Sequence, residues 1–288
     1  MDIIEVIKVI LIGIIEGITE WLPVSSTGHM YLFDEFWPLL FDKDFKEMFF
    51  VVIQLGAIFA VIVMFWEKLW PFGMQKDEET GKNKISFQKD IWTMWLKVLV
   101  ACVPTAVLGF FLDDILDRYL YNGIVISVML ILYGVAFIVV EIWNKKRTPR
   151  INSVAEITYL TAVYFGLVQS LAMIPGTSRS GATIVGALII GVSRTTAAEF
   201  SFFLAIPTMF GASLLKLVKF FIDGGSFDGS QIAALAIGTA VAFAVSLLVI
   251  KFLMDFVKKH DFKIFGWYRI VLGVIVLIVF ALQSAAVI

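Results

Sequence analysis

Residues 16–29 read Glu16-Gly-Ile-Thr-Glu-Trp-Leu-Pro-Val-Ser-Ser-Thr-Gly-His29 and close an apolar run that starts at residue 3. A second run, residues 157–174, breaks in the same way at Pro175-Gly-Thr-Ser-Arg-Ser-Gly181, and a short apolar piece, residues 182–191, follows it. Proline removes a backbone donor and tends to end a helix. Both runs are therefore predicted to be helices that are broken by a polar turn.

The composition predicts an integral membrane protein made of helices. Hydrophobic residues make up 60% of the 288 residues, charged residues make up 16%, and the mean hydropathy is +0.92. A soluble domain typically carries about 25% charged residues, so this chain has too few charges to cover a water-soluble particle. The formal net charge of -1 argues against a generally basic protein that binds nucleic acid.

Six other stretches are long and apolar enough to cross a bilayer, which takes about 20 residues. They are residues 48–66, 92–112, 122–143, 199–221, 231–254 and 266–285. The predicted fold is an all-α integral membrane protein with six transmembrane helices and two re-entrant broken-helix segments. Non-helical backbone at membrane depth occurs where it is buried in protein or lines a cavity, so the two breaks are the predicted site.

The basic residues indicate how the chain crosses the membrane. If both broken segments enter and leave on one side, 16 of the 23 Lys and Arg residues lie on one face of the membrane and five on the other. The remaining two, Lys8 and Arg179, fall in the broken segments. The basic face is predicted to be cytoplasmic. The chain is then one membrane domain, residues 1–288, built from two inverted-topology repeats of approximately residues 1–150 and 151–288.

Weak similarity between the halves supports the repeat. Gly13-Ile-Ile-Glu16 matches Gly166-Leu-Val-Gln169. After a gap of one residue, Leu22-Pro-Val-Ser-Ser26 matches Ile174-Pro-Gly-Thr-Ser178.

Ionisable residues are concentrated in the broken segments, where burial in a membrane makes them costly unless they face a cavity or a partner. Glu16 and Glu20 are four residues apart and share one helix face. Two states would relieve their repulsion: one carboxylate is protonated, or a cation, Mg²⁺ or Ca²⁺, lies between them. The alternative is structural: one of the two carboxylates pairs with Arg179 and holds the halves together.

The two polar turns are candidate anion sites. They expose hydroxyl and backbone N–H groups, which can form an anion-binding nest, and Arg179 adds a planar guanidinium that matches phosphate oxygens. Alternatively, some of the serines cap the broken helices. Ser26 and His29 are three residues apart, close enough for a hydroxyl and an imidazole to meet in a tight turn.

The segments Glu16–His29 and Pro175–Gly181 resemble the two signature segments of the undecaprenyl-diphosphate phosphatase family, also called the bacitracin-resistance family. Both motifs are long and occur in the right order, and the whole chain has the length and hydropathy of that family. The resemblance therefore extends over nearly all of the sequence.

The resemblance implies a polyprenyl diphosphate substrate of 55 carbons, hydrolysed to the monophosphate that carries peptidoglycan precursors. It also implies a divalent cation, an interleaved inverted repeat, and an active site that opens to the extracytoplasmic side of the bacterial cell membrane. A homodimer is one expectation for the assembly, although no residue pattern addresses it.

The family motifs also imply roles for individual residues. The expected catalytic residues are Ser26, His29, Glu20 and Arg179. The expected metal ligands are Glu16 and Glu20. The expected phosphate-binding residues are Ser25, Thr27, Gly176, Thr177, Ser178 and Arg179.

Three chemical schemes stay open at this point. In the first, Ser26 attacks the terminal phosphorus, with His29 as general base and later as general acid. In the second, His29 is itself the nucleophile, and in the third a metal-activated water attacks.

The competing function is a secondary transporter or flippase for polyprenyl phosphate, because broken helices in inverted repeats are common in transporters. The pair Glu16 and Glu20 favours the enzyme over the transporter, because a protein that only carries an anion has little use for two carboxylates beside it.

The charge distribution generates a test of topology. Single cysteines at Ser153 and Ser226, in a background that lacks Cys102, should differ in their reaction with a membrane-impermeant thiol reagent on intact cells. Only the cysteine at position 226 should be labelled, because loop 144–156 is predicted to be cytoplasmic and loop 223–230 extracytoplasmic. Equal labelling would disprove the orientation.

Overall fold

The structure is a computed structural model that describes residues 1–76, 83–120 and 122–286. Lys82, one of the basic residues counted on the cytoplasmic face, lies outside the described residues. The helices are α1 (Ile3–Thr19), α2 (Ser26–Phe36), α3 (Lys43–Val52), α4 (Gln54–Met64), α5 (Trp66–Leu69), α6 (Lys89–Leu120), α7 (Gly123–Asn144), α8 (Tyr159–Ser170), α9 (Arg179–Ile189), α10 (Arg194–Ile222), α11 (Gly229–Val257) and α12 (Lys263–Ala286). A short antiparallel hairpin, β1 (Phe72–Lys76) and β2 (Asn83–Phe87), connects α5 to α6, with Phe72 opposite Phe87.

The six predicted transmembrane stretches are confirmed. Within the described ranges, six helical segments have the length and apolar character needed to cross a membrane. They are Lys43–Met64, Lys89–Leu112, Gly123–Asn144, Arg194–Ile222, Gly229–Val257 and Lys263–Leu282. The first of these consists of α3 and α4, which meet at Ile53. α10 begins five residues before the predicted span because Ser193 caps it at residue 194.

Both broken helices have the same local structure. After the break, Ser25 (φ 76°) and Ser178 (φ 69°) adopt positive φ angles, which are uncommon for residues other than glycine. Each serine hydroxyl accepts a hydrogen bond from the backbone N–H three residues later, at Gly28 and Gly181. The capping role expected for some of the serines therefore belongs to these two.

The caps correct the alignment of the two halves. The sequence match placed Ser26 opposite Ser178, whereas the structure makes Ser25 the equivalent of Ser178. The second turn is one residue longer, because Pro23 stands two residues before its cap and Pro175 stands three residues before its own. As a result, Ser26 and Arg179 hold equivalent positions as the first residues of α2 and α9.

The two halves of the chain are interleaved. α1 packs against α11, α8 packs against α6, and α7 packs against α12, so each half completes the packing of the other. Glycines allow two of these contacts: a Cβ on Gly13 would lie 2.9 Å from the carbonyl oxygen of Gly238, and one on Gly166 would overlap with the carbonyl of Ala101. The opposite orientation of the halves in a membrane stays a prediction.

The core lies around the two breaks, and the outer faces of the long helices are apolar. Trp21, in the first break, is fully buried and meets the ring of Phe202 edge-on at 5.1 Å. By contrast, Phe110 and Phe111 on α6 are largely exposed, as expected for side chains that face lipid.

The glycine contact between α8 and α6 generates a stability prediction. Gly166→Ala should lower the free energy of unfolding, because the added methyl group pushes the helices apart at a cost of roughly 1–3 kcal/mol. This cost exceeds the gain of up to about 1 kcal/mol from the better helix propensity of alanine. The matched control is Gly211→Ala in α10, where no atom lies within 4 Å of the new methyl group and stability should rise. The midpoint of thermal unfolding in detergent measures both, and a shift in the same direction for both variants would contradict the packing argument.

Candidate active site

The two breaks bring Glu20, Ser26 and Arg179 into direct contact. The hydroxyl of Ser26 donates to Oε2 of Glu20 at 2.9 Å. Arg179 donates from Nη2 to the other carboxylate oxygen, Oε1, at 3.1 Å. Ser180 donates to the backbone carbonyl of Glu20 at 3.2 Å. The structural alternative, in which one of the two carboxylates pairs with Arg179, therefore holds for Glu20. The same carboxylate also accepts the hydrogen bond from the Ser26 hydroxyl.

Cap geometry explains why Ser26 and Arg179 converge. Each is the first residue of a helix, and each follows a serine with positive φ. The first turn of a helix leaves its backbone N–H groups without intrahelical acceptors. Two such helix starts near one carboxylate create a region suited to an anion.

Arg179 is held in place while part of its donor capacity stays free. Nη1 donates to the carbonyl of Ser201 at 2.7 Å, and the hydroxyl of Ser201 contacts that of Thr183 at 2.7 Å. The guanidinium carbon lies 5.7 Å from the ring centre of Trp21. Among the described residues the buried Nε has no hydrogen-bond partner, so one donor of this guanidinium is unused.

His29 does not contact Ser26, contrary to the expected pairing. Its Nδ1 lies 2.7 Å from the carbonyl oxygen of Ser25, and its Nε2 lies 2.7 Å from the hydroxyl of Tyr268. A carbonyl can only accept, so Nδ1 carries the proton and Nε2 of the neutral ring accepts from Tyr268. The two rings are stacked, with 5.6 Å between their centres. Ser26 turns to Glu20 instead because a carboxylate is the stronger acceptor.

Glu16 is the carboxylate best suited to a cation. It is fully buried, and neither oxygen has a hydrogen-bond partner in the part of the chain that the structure describes. It lies close enough to Glu20 and Arg179 for charge–charge interactions. No group of three or more His, Cys, Asp or Glu residues that could hold a metal occurs within the described ranges. This donor set fits Mg²⁺, which binds through one or two carboxylates plus substrate phosphates, better than Ca²⁺, which takes six to eight oxygens.

The expected phosphate-binding residues differ in what they do in the structure: some shape the two turns, and others have side-chain polar atoms without a partner. Ser25 and Ser178 are the caps. Gly176 adopts φ +88°, and a Cβ there would lie 2.6 Å from the carbonyl oxygen of Ile126, so both the backbone angle and the close approach favour glycine. Thr177 is fully buried, and its hydroxyl has no hydrogen-bond partner in the described structure. Thr27, by contrast, is half-buried. In this set, Thr177 and Arg179 each have a buried polar atom without a hydrogen-bond partner among the described residues.

Arg269 is the main residue that the sequence reasoning missed. It is fully buried and donates to the carbonyl oxygens of Pro23 at 3.2 Å, Gly176 at 2.7 Å and Thr177 at 2.8 Å. It joins the two breaks from α12. The charge count treated it as a basic residue at a helix end, although an arginine inside an apolar stretch is itself a functional signal. Tyr268 was missed for a different reason, since tyrosine is common near helix ends in membranes.

Comparisons with known proteins agree on one family. The family model for bacitracin resistance protein BacA matches residues 9–275. An undecaprenyl-diphosphatase of Enterococcus faecalis is 59% identical over 282 residues, which cover 98% of this chain and 99% of the relative. Proteins of the same name from Desulfitobacterium hafniense and Lactiplantibacillus plantarum are 55% and 54% identical, over 99% and 96% of this chain and 99% and 98% of their own lengths.

Proposed function

The chain belongs to the bacitracin resistance protein family, and we propose that it hydrolyses undecaprenyl diphosphate to undecaprenyl phosphate and inorganic phosphate. The observation that carries the proposal is similarity over the full length to relatives that are named for this activity. The reaction regenerates the carrier lipid for peptidoglycan synthesis. It also accounts for a role in bacitracin resistance, which the family description names.

The site chemistry suits phosphoryl transfer. A diphosphate brings several negative charges, and catalysis of its cleavage depends mainly on positioning and on charge neutralisation. Arg179 has an unused donor at Nε, and the helices α2 and α9 begin at Ser26 and Arg179, the two residues that bind the Glu20 carboxylate. The apolar tail of the lipid can leave the site between helices into the bilayer.

Ser26 is the proposed nucleophile. Its oxygen forms a bond to the terminal phosphorus, the bond from that phosphorus to the bridging oxygen breaks, and undecaprenyl phosphate leaves. Glu20, which already accepts the Ser26 hydroxyl at 2.9 Å, takes the proton. Water then attacks the phosphorus of the phosphoserine, the bond from phosphorus to the Ser26 oxygen breaks, and inorganic phosphate leaves. Glu20 returns its proton to Ser26, and the proton lost by the water is released to solvent.

His29 acts in the second step of this proposal. Its Nδ1 proton is fixed on the carbonyl of Ser25, so Nε2 is the ring atom that can take a proton from the attacking water once the Tyr268 hydroxyl moves aside. A nucleophilic His29 is less well supported, because Nε2 is engaged by Tyr268. Attack by a metal-activated water is the competing scheme that the experiments below separate from a serine nucleophile.

A divalent cation is part of the proposal, with Glu16 as its main ligand and Glu20 as a second. When bound, it supplies positive charge that offsets the negative charge of the diphosphate. Glu16 fits because it is buried and both of its oxygens are unused in the described structure.

Two finer statements also belong to the proposal. The active site opens to the extracytoplasmic side, which the excess of basic residues on the opposite face supports. The homodimer stays a prediction. Measuring the particle size of the purified protein in detergent would test it. Transport without hydrolysis is not favoured, because the relatives are named as diphosphatases.

The first experiment measures phosphate release from undecaprenyl diphosphate by the purified protein in detergent, where no membrane separates two sides. A transporter would release none. Ser26→Ala should lower turnover by about 1,000-fold or more, because it removes the covalent route. Adding Glu20→Gln to this variant should cost little more, since the two residues act as a unit. Ser226→Ala, at an exposed position, is the matched control and should be fully active.

Rapid quench with substrate labelled in the terminal phosphate identifies the intermediate. Acid-stable label on the protein indicates phosphoserine, and acid-labile but base-stable label indicates phosphohistidine. Substantial turnover by Ser26→Ala would rule out the serine nucleophile and favour attack by water.

The second experiment concerns the cation. Chelation should stop turnover, and Mg²⁺ should restore it. Glu16→Gln should raise the Mg²⁺ concentration for half-maximal activity by roughly 10-fold or more, the lower end of what disturbing a metal site costs. If Glu16 has a structural role alone, this variant should change the thermal unfolding midpoint and leave the Mg²⁺ dependence unaltered.

A further inference from the structure

A second cavity lies away from the candidate active site, at the end of α7. Its volume is about 1040 Å³, and it is bordered by the loop that follows α7 and by the turn between α9 and α10. We call it the basic cleft, since its lining includes Lys145, Lys146, Arg147, Arg150, Arg194 and Lys258. None of the residues assigned to the active site lines it.

The positive charge of the basic cleft is largely uncompensated. Glu141 is its acidic lining residue in the described structure, and this carboxylate is occupied by Arg194, which donates to both oxygens at 2.8 and 2.6 Å. Lys258 pairs with Asp255 at 3.0 Å. Within the described ranges, the other four basic residues have no carboxylate within ion-pair distance.

The cleft is preformed. The backbone N–H of Arg150 donates to the carbonyl of Gly191 at 2.7 Å, and that of Ser193 donates to the carbonyl of Ile151 at 2.8 Å. The side chain of Asn144 donates to the carbonyl of Leu188 at 2.9 Å. These bonds fix the basic loop against the turn before α10, so little ordering is needed when an anion binds.

Aromatic and apolar residues beside the cleft indicate its level in the membrane. Trp143 is half-exposed in the last turn of α7, and the guanidinium of Arg147 stacks on its ring at 3.5 Å. Tryptophan prefers the level of the lipid headgroups. Below it on the same helix, Val135, Val139 and Ile142 are exposed and spaced along one side, where an acyl chain can lie.

We propose that the basic cleft binds the phosphate headgroup of an anionic phospholipid. Four uncompensated cations, two of them arginines with planar donor groups, match a phosphodiester, and a cluster of Lys and Arg directly after a transmembrane helix is typical of binding to anionic lipid headgroups. The apolar side of α7 favours a lipid over free phosphate. The proposal does not rest on the proposed enzymatic function.

The test uses the full-length protein in a neutral detergent, with the thermal unfolding midpoint as readout. Dioctanoyl phosphatidylglycerol should raise the midpoint of the wild type in a saturable way, and dioctanoyl phosphatidylcholine should not. The triple variant Lys145→Gln/Lys146→Gln/Arg150→Gln should bind phosphatidylglycerol about 100-fold more weakly, since each basic residue near an anionic headgroup contributes about fivefold.

The matched control removes three exposed charges outside the cleft, with Lys89→Gln/Lys251→Gln/Lys259→Gln, and should bind like the wild type. A cooperative unfolding transition near that of the wild type in lipid-free detergent checks the folding of both triple variants. The single variant Lys146→Gln, expected to lose about fivefold, replaces the triple variant if that variant does not fold. Equal binding by the wild type and the cleft variant would overturn the proposal. So would equal weakening in both triple variants, or an equal shift with inorganic phosphate at the same concentration.

Discussion

The polar centre of this structure depends on one buried guanidinium. Arg269 reaches from α12 and binds carbonyl oxygens of both broken segments, at Pro23 and at Gly176. These two residues stand at equivalent places, each two positions before a capping serine. Carbonyls in a membrane protein that lack a helical partner are costly unless another group satisfies them. By satisfying both, Arg269 sets the distance between the breaks, and so between Ser26 and Arg179.

The charges around this centre explain its chemistry. Two carboxylates, Glu16 and Glu20, lie close enough to the guanidinium of Arg179 for charge–charge interactions, so these three groups, when all are ionised, carry a net negative charge before a substrate arrives. Glu20 is engaged by Ser26 and Arg179, whereas Glu16 is unpartnered in the described structure. A diphosphate would add negative charge that Arg179 alone does not offset, which is the physical reason for proposing a cation at Glu16.

Hydropathy and prolines predicted the long helices and both breaks because these features are local: a span needs about 20 apolar residues, and a proline interrupts one. What escaped prediction depends on distant partners. The sequence spacing of Ser26 and His29 favoured a contact, yet the hydroxyl bonds to Glu20 and the imidazole to Tyr268, which is 239 residues away. Arg269 did carry a local signal, an arginine inside an apolar stretch, but the carbonyl oxygens that it binds are also distant in sequence. The equivalence of Ser25 and Ser178 is visible only in their positive φ angles, which cannot be read from the amino-acid sequence.

The interleaving of the halves has a consequence for biogenesis. α1 is synthesised first, but its packing partner α11 spans Gly229–Val257 and follows most of the chain. During membrane insertion, the early helices therefore lack their native neighbours, and Glu20 lacks its ion-pair partner Arg179 until α9 has been synthesised. Such long-range closure slows folding. A nascent chain that stalls before α12 lacks Arg269, so the carbonyl oxygens of Pro23, Gly176 and Thr177 lack that donor, which is costly within a bilayer.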